Sequence, residues 1–175
     1  MVALVSRQGR QLQRYSDSGR RLVVGCIPYK LNINNQCNSD LIENMEVLVV
    51  SSQKGNENGM MFPKGGWESD ETIKQAALRE ALEEAGVQGC IERRLGRWRY
   101  PSRTQHTINE GIMFPLNVSE ELVHWPEMDV RERRWVSVEE AREMCEHVWM
   151  KEALDRLVRR ISFSNMQKAT KASSS

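Results

Sequence analysis

The stretch from residue 65 to residue 87, GGWESDETIKQAALREALEEAGV, constrains this chain more than any other. It reads as a short Gly-rich turn, an amphipathic helix and a stop. Ser69 or Asp70 is expected to cap the helix by accepting a backbone N–H, and Asp70 and Glu71 put negative charge in its first turn, where the helix dipole favours it. Gly86 falls where a left-handed residue ends a helix. Ile73, Ala76, Ala77, Leu82 and Ala85 recur at helical spacing and give one face to bury. On the polar side Glu80, Glu83 and Glu84 are spaced i, i+3, i+4, so three carboxylates project close together. Adjacent like charges repel unless something positive lies between them. A hard divalent ion such as Mg²⁺ suits that arrangement, taking one or two carboxylates together with substrate phosphates. An acidic run on its own would read as a solvated face. Here it comes with a Gly-rich turn, an arginine and a terminal glycine at fixed offsets.

Those offsets carry a resemblance. Gly65, Glu71, Arg79, Glu80, Glu83, Glu84, Gly86 and Val87 match the Nudix box, G-x5-E-x7-R-E-U-x-E-E-x-G-U, without a gap, Ala81 being a minimal residue at the first apolar position. The chain resembles a Nudix hydrolase. The resemblance implies an α/β fold, an α/β/α sandwich with a mixed central sheet. It implies Mg²⁺ or Mn²⁺ as cofactor, with Glu80 and Glu84 as ligands and Glu83 as a ligand to a second ion or the base that deprotonates water. A backbone carbonyl of Lys64 or Gly65 completes the coordination. Gly65, Glu71, Arg79 and Gly86 are then structural, with Arg79 pairing with Glu71 or a neighbouring box carboxylate to hold the loop on the helix. Glu68 is a weaker candidate for the metal shell.

A length of 175 residues suits one domain with a real core. No apolar run is long enough to cross a bilayer, so no membrane partner is expected. The formal net charge is +1, which argues against general nucleic-acid binding. A monomer is expected rather than an oligomer. Cys26, Cys37, Cys90 and Cys145 are scattered without metal-ligand spacing, so reduced thiols are expected. A cytoplasmic location, extending to the nucleus, follows from that. The first sixteen residues, with Arg7, Arg10 and Arg14 and no acidic residue, raise a mitochondrial alternative. They run straight into a segment the fold needs, so no cleaved peptide is expected.

Along the chain, residues 1–19 form an N-terminal arm, 20–161 the domain and 162–175 a tail with little to bury, expected to be frayed or disordered. LVVGCIPYK is the first core strand, EVLVVSS at 46–52 a second, buried on both faces, and 60–62 a brief third. Residues 31–43 read as a variable loop and 54–59 as a turn. The segment 90–98 alternates like an edge or half-buried strand, 100–105 is a basic loop, and 107–118 a strand interrupted by Pro115. An acidic loop at 120–129 contains Trp125. A strand at 133–136 leads into a helix at 139–145, where Ser137 and Glu140 make a capping box, and 149–161 is a final amphipathic helix.

The flanks resemble one branch of the family, the diphosphoinositol polyphosphate phosphohydrolases. The matching residues are Tyr15-Ser-Asp-Ser-Gly-Arg-Arg, Val50-Ser-Ser, FPKGGWE leading into the box, Trp125, and Arg131-x-Arg133-Arg134-Trp135. The combination of FPKGGWE, WPE and RRW is similar to the plant members, and the similarity runs from about Arg14 to about Val158. The branch implies a small, polyphosphorylated substrate, an inositol pyrophosphate from which phosphate is released. A ring crowded with phosphates calls for converging cations, Arg through its bidentate fork. Arg21, Lys64, Arg103 and Arg131 are the leading candidates, followed by Arg20, Arg99, Arg133 and Ser52. Lys64 stands where the animal enzymes have a further glycine, and 100–105 differs in composition. The alternative substrates are diadenosine polyphosphates, ADP-ribose or other nucleoside diphosphate derivatives, for which Trp67, Trp98, Tyr100 or Trp125 would have to stack a base. Each of these rings is more often core or loop packing.

Overall fold

In the computed structural model, which describes residues 5–32, 42–53 and 59–174, strand β1 (Leu22–Leu31) is the centre of a mixed sheet. Its apolar residues alternate between two faces, as the period of a strand requires. Val24 and Cys26 point to one side, Ile27 and Tyr29 to the other. Strand β2 (Met45–Ser51) divides likewise, Leu48 and Val50 against Met45, Val47 and Val49. A strand that is apolar on both faces must be covered twice, and it is.

The chain continues through β3 (Met60–Met61), β4 (Lys64–Gly66) and helix α1 (Ile73–Glu80), which runs on as a π turn over Ala81–Ala85. Then come β5 (Val87–Ile91), β6 (Gly96–Pro101) and the long β7 (Ile108–Glu121). Strand β8 (Arg133–Ser137), α2 (Val138–Met144) and α3 (Val148–Ala172) complete it. β1 runs parallel to β7 and antiparallel to β2 and β4; β3 and β8 pair with β2, while β5 and β6 pair with β7. One layer is α1 and the π turn on Val24, Cys26, Leu48, Ile112, Phe114 and Leu116. The other is α2 and α3, burying Ala141, Trp149, Met150, Leu154 and Leu157 on Ile27, Val47, Val49 and Met113. This is the expected α/β/α sandwich with a mixed central sheet.

Several local expectations change. The Gly-rich segment before the helix is a strand, β4, held in register by Val24 opposite Gly65. Thr72, not Ser69 or Asp70, caps α1: its hydroxyl accepts the Gln75 N–H at 3.2 Å while the Gln75 side chain accepts the Thr72 N–H at 2.8 Å. Asp70 and Glu71 thus precede the first turn. Residues 90–98 span two strands, β5 and β6, with Arg93 and Arg94 between them, and Tyr100 and Pro101 belong to β6 rather than to a loop. β7 is not interrupted at Pro115. That residue falls between the part of β7 paired with β6 (108–113) and the part paired with β5 (116–121), so its missing N–H removes no bond of either ladder. The segment from Ser162, expected as a frayed tail, continues α3 to Ala172 with exposed side chains. No glycine or proline interrupts it. The capping box of Ser137 and Glu140 forms as expected. Cys37, most of the 31–43 loop and most of the 54–59 turn lie outside the described residues. Cys26, Cys90 and Cys145 are free thiols. Among the described residues no helix is long and apolar enough to cross a membrane.

Candidate active site

The end of α1 is pressed onto the sheet by Ala81 and Ala85, both fully buried against Cys26, Leu48 and Val87. A larger side chain at Ala81 would lift the helix off, which accounts for the minimal residue there. Over these residues the helix widens: the Gly86 N–H reaches back to the Ala81 carbonyl, five residues earlier, as well as to Leu82. Such π turns recur at functional sites. Gly86 ends the helix in the left-handed region at φ 63° and ψ 36°.

Glu80, Glu83 and Glu84 project from this turn and are buried, at 7 %, 7 % and 6 % exposure. Burying carboxylates is unfavourable unless they are paired and hydrogen-bonded, and each has partners. Arg79 donates to both oxygens of Glu71 at 2.9 and 2.8 Å, to the Gly66 carbonyl at 2.8 Å, to Glu80 at 2.7 Å and to Glu83 at 3.4 Å. One guanidinium therefore ties β4, the preceding loop and the helix together. Glu84 accepts from the Lys64 backbone N–H at 3.0 Å and from Arg131 at 2.7 Å. Gly65 lies directly under the Glu80 carboxylate: a Cβ there would sit 2.1 Å from Oε1. Only glycine leaves room for that carboxylate.

A fourth acidic residue joins the cluster. Glu127, on the loop after β7, accepts from Arg131, its backbone N–H donates to the Glu83 carbonyl at 3.0 Å, and its charge bears on both Glu83 and Glu84. The Trp-Pro-Glu run was the signal for it in the sequence, yet only folding brings it here. Burial first, then the charge of Glu84, pushes the Glu80 carboxyl up to about 8. Burial pushes Glu84 up to about 7 against the pull of Arg131 and Lys64. Glu83 is raised too, chiefly by burial.

The expected cations divide into two groups. Lys64 and Arg21 are half-buried beside the carboxylates, each with its pKa lowered first by burial; the Glu84 charge acts on Lys64 and the Glu80 charge on Arg21. Arg21 donates to Gln13 at 2.9 Å. Arg131 is inside the cluster, bound to Glu84, to Glu127 and to the Ser51 carbonyl at 2.8 Å. Ser52 is buried just beyond β2. The others stand apart. Arg103 is exposed between β6 and β7 and forms no ion pair among the described residues. Arg20 bonds Glu110 and Ser18, and Arg99 is an exposed neighbour of Glu110. Arg133 caps the π turn through the Ala85 carbonyl at 3.0 Å, bonds the Leu122 carbonyl at 2.7 Å and lies over Trp125. Glu68 pairs with Arg7.

The aromatic candidates are engaged in packing. Trp67 lies under Arg14 and donates to the Glu71 carbonyl, Trp98 donates to Glu152, and Tyr100 stacks on Trp149 with ring centres 4.6 Å apart.

Among the described residues no group of three or more His, Cys, Asp or Glu side chains is arranged to hold a metal ion by itself; Arg79 and Arg131 supply the positive charge to Glu80 and Glu84. The donor set nonetheless fits a hard divalent ion. It consists of oxygens alone, crowded on one helix turn over a glycine that opens room for them, and Mg²⁺ needs only one or two carboxylates when phosphates provide the rest.

Comparison with known proteins bears on the family and the fold. A model of the NUDIX domain matches residues 40–157. "Nudix hydrolase 18, mitochondrial" of Arabidopsis thaliana is 55 % identical over 167 residues, covering 95 % of this chain and 92 % of that protein. "Nudix hydrolase 4" of the same plant is 52 % identical over 158 residues, 90 % of this chain and 75 % of that one. Among solved structures, the NUDIX domain of Shewanella oneidensis NrtR complexed with ADP ribose superposes with a TM-score of 0.61 at 17 % identity, covering 84 % and 94 % of the two chains. A C. elegans Ap4A hydrolase binary complex gives 0.58 at 19 %, covering 81 % and 97 %. At those identities the structures speak for the fold, whereas the sequence matches carry the kinship: the chain belongs to the Nudix hydrolase family.

Proposed function

We propose that this protein is a Mg²⁺- or Mn²⁺-dependent phosphohydrolase that cleaves phosphoanhydride bonds of inositol pyrophosphates. The observation that carries the reading is the carboxylate cluster of the buried Glu80, Glu83 and Glu84 and the half-buried Glu127, with Lys64, Arg21 and Arg131 beside it. Glu80 and Glu84, with a backbone carbonyl of Lys64 or Gly65, would hold the ion. When bound, the ion neutralises phosphate oxygens and lowers the pKa of a water. Glu83 takes the proton from the attacking water, whose oxygen forms the new bond to phosphorus as the P–O anhydride bond breaks. The leaving phosphate departs with the electron pair. Lys64 and Arg21 orient the phosphates, and Arg79 keeps Glu80 in place.

A substrate dense in phosphate suits these cations. A base-stacking substrate finds less support, because the aromatic rings near the box are already packed against Arg14, Trp149 and Arg133. For location, the relatives' names include mitochondrial ones, which favours the mitochondrial alternative over the cytoplasm. Purified protein with Mg²⁺ and a panel of inositol pyrophosphates, diadenosine polyphosphates and ADP-ribose tests the substrate. Preferential release of phosphate from the inositol pyrophosphates is expected. Turnover of the nucleotides with inert inositol pyrophosphates would reverse it.

A further inference from the structure

Part of the N-terminal arm lies on the carboxylate cluster, and the hydrolysis described above makes no use of it. The arm has two sections. The nearer one is an anchor: the Arg14 N–H donates to the Trp67 carbonyl at 2.9 Å and the Ser69 N–H to the Leu12 carbonyl at 2.7 Å. The Arg14 guanidinium adds a bond to the Glu68 carbonyl at 3.0 Å and covers the Trp67 ring. The farther section touches the acidic residues themselves. The Arg7 backbone N–H donates to Glu83 Oε1 at 3.2 Å, its guanidinium pairs with Glu68 and, at 3.0 Å, with Asp70, and the Ser6 hydroxyl donates to Glu127 at 3.0 Å. Between the two sections Gly9 turns the chain at φ +89°, a conformation open to glycine.

Every acceptor taken by Ser6 and Arg7 is an acidic side chain in or beside the cluster. A water bound for Glu83, or a cation bound for these oxygens, competes with the same contacts. The hold is weak, since the Arg7 side chain is 41 % exposed and Val5 75 % exposed, and exposed ion pairs are screened by salt and individually small. The anchor has more bonds, and its Gln13 and Arg14 are half-buried. The arm can therefore open at Gly9 while staying attached at Arg14.

We propose that residues 5–8 form an autoinhibitory strap across Glu83, Glu68 and Glu127, displaced when a divalent cation binds. The proposal rests on the cluster being the hydrolytic site. Calorimetric titration of the full chain with Mn²⁺ alone tests it, on wild type, Arg7→Ala, which removes the guanidinium, and Arg7→Pro, which also removes the N–H held by Glu83. Both substitutions lie in exposed backbone outside the sheet and helices, so the fold is not at risk. Mn²⁺ is expected to bind both variants at least about fivefold more tightly than wild type, the size of a typical coupling between competing contacts, with the difference shrinking as salt rises. Equal or weaker binding in both variants would overturn the strap and leave the hydrolase reading intact. No uptake by any of the three would remove the metal reading and the strap together. No substrate enters the titration, so a preference for nucleotides in the substrate panel would revise the substrate and leave this result standing.

Discussion

Replacing Gly65 with alanine tests the seating of the Glu80 carboxylate. The added Cβ would stand 2.1 Å from Oε1, 2.3 Å from Cδ and 2.4 Å from Oε2 of Glu80, where ordinary contact begins at 3.4 Å. The carboxylate must therefore retreat by about 1 Å or more, and displacement of a positioned group by about 1 Å costs on the order of a hundredfold in rate. The obstacle is the far end of a flexible side chain rather than backbone, and Gly65 does not have a positive φ, so the fold should survive. Circular dichroism and the melting temperature are expected to stay near wild type. In a phosphate-release assay with saturating Mg²⁺, kcat is expected to fall on the order of a hundredfold, and Mn²⁺ affinity to weaken. A Gly65→Ala protein with wild-type kcat and Mn²⁺ affinity would mean that Glu80 does not act from this position.

Three further outcomes follow from the same geometry. Glu83→Gln keeps the shape of the side chain and loses the base, so kcat should drop by about a hundredfold or more with folding unchanged; full activity would take the base role away from Glu83. Arg79→Ala leaves Glu71, Glu80 and Glu83 buried without their shared partner, and breaking a buried pair costs about 3–5 kcal/mol; urea unfolding with no loss of stability would refute its structural role. In metal-free buffer stability should fall between about pH 4.5 and 8, because Glu80, at about 8, and Glu84, at about 7, hold protons in the folded protein that the unfolded chain, with its carboxyls near 4.5, has already released. Saturating Mg²⁺, which binds the deprotonated carboxylates, should flatten that slope; a melting temperature that rises over this interval in EDTA would contradict it.

Features set by local chemistry were legible in the sequence. The strand periods of β1 and β2, the helical period of 73–85, the left-handed stop at Gly86 and the capping box at Ser137 each depend on residues a few positions apart. The pairing of Arg79 with Glu71 or a neighbouring box carboxylate was implied by the resemblance to the box, and Arg79 meets Glu71, Glu80 and Glu83. Thr72 and Gln75 also form a legible capping box, but Ser69 and Asp70 precede them and draw attention because they are good caps in isolation. In the structure the Ser69 N–H is bound by the arm and the Asp70 side chain by Arg7. The split of 90–98 was hidden because alternation passes through the turn at Arg93 and Arg94 without a glycine or proline. Polar composition hid the helix beyond Ser162, since exposed polar residues can extend a helix that is already nucleated.

What could not be read locally came from contacts over long sequence distances. The π turn depends on Ala81 and Ala85 meeting Cys26 and Leu48. Glu127 reaches the cluster across more than forty residues of chain, and Arg7 across more than seventy. The basic flanks looked alike in sequence, yet folding sorts them. Lys64, Arg21 and Arg131 meet the carboxylates, while Arg133 and Arg20 bind carbonyls and Glu110 elsewhere.

The most direct test of the account is calorimetric titration with Mn²⁺ of the wild-type chain against a protein carrying Glu80→Gln and Glu84→Gln together. Saturable uptake by the wild type and its loss in the double variant, with both proteins folded, is the predicted result. Uptake that is unchanged in the double variant, or no uptake by the wild type even with a polyphosphate present, would contradict the claim that the buried carboxylates hold a divalent ion.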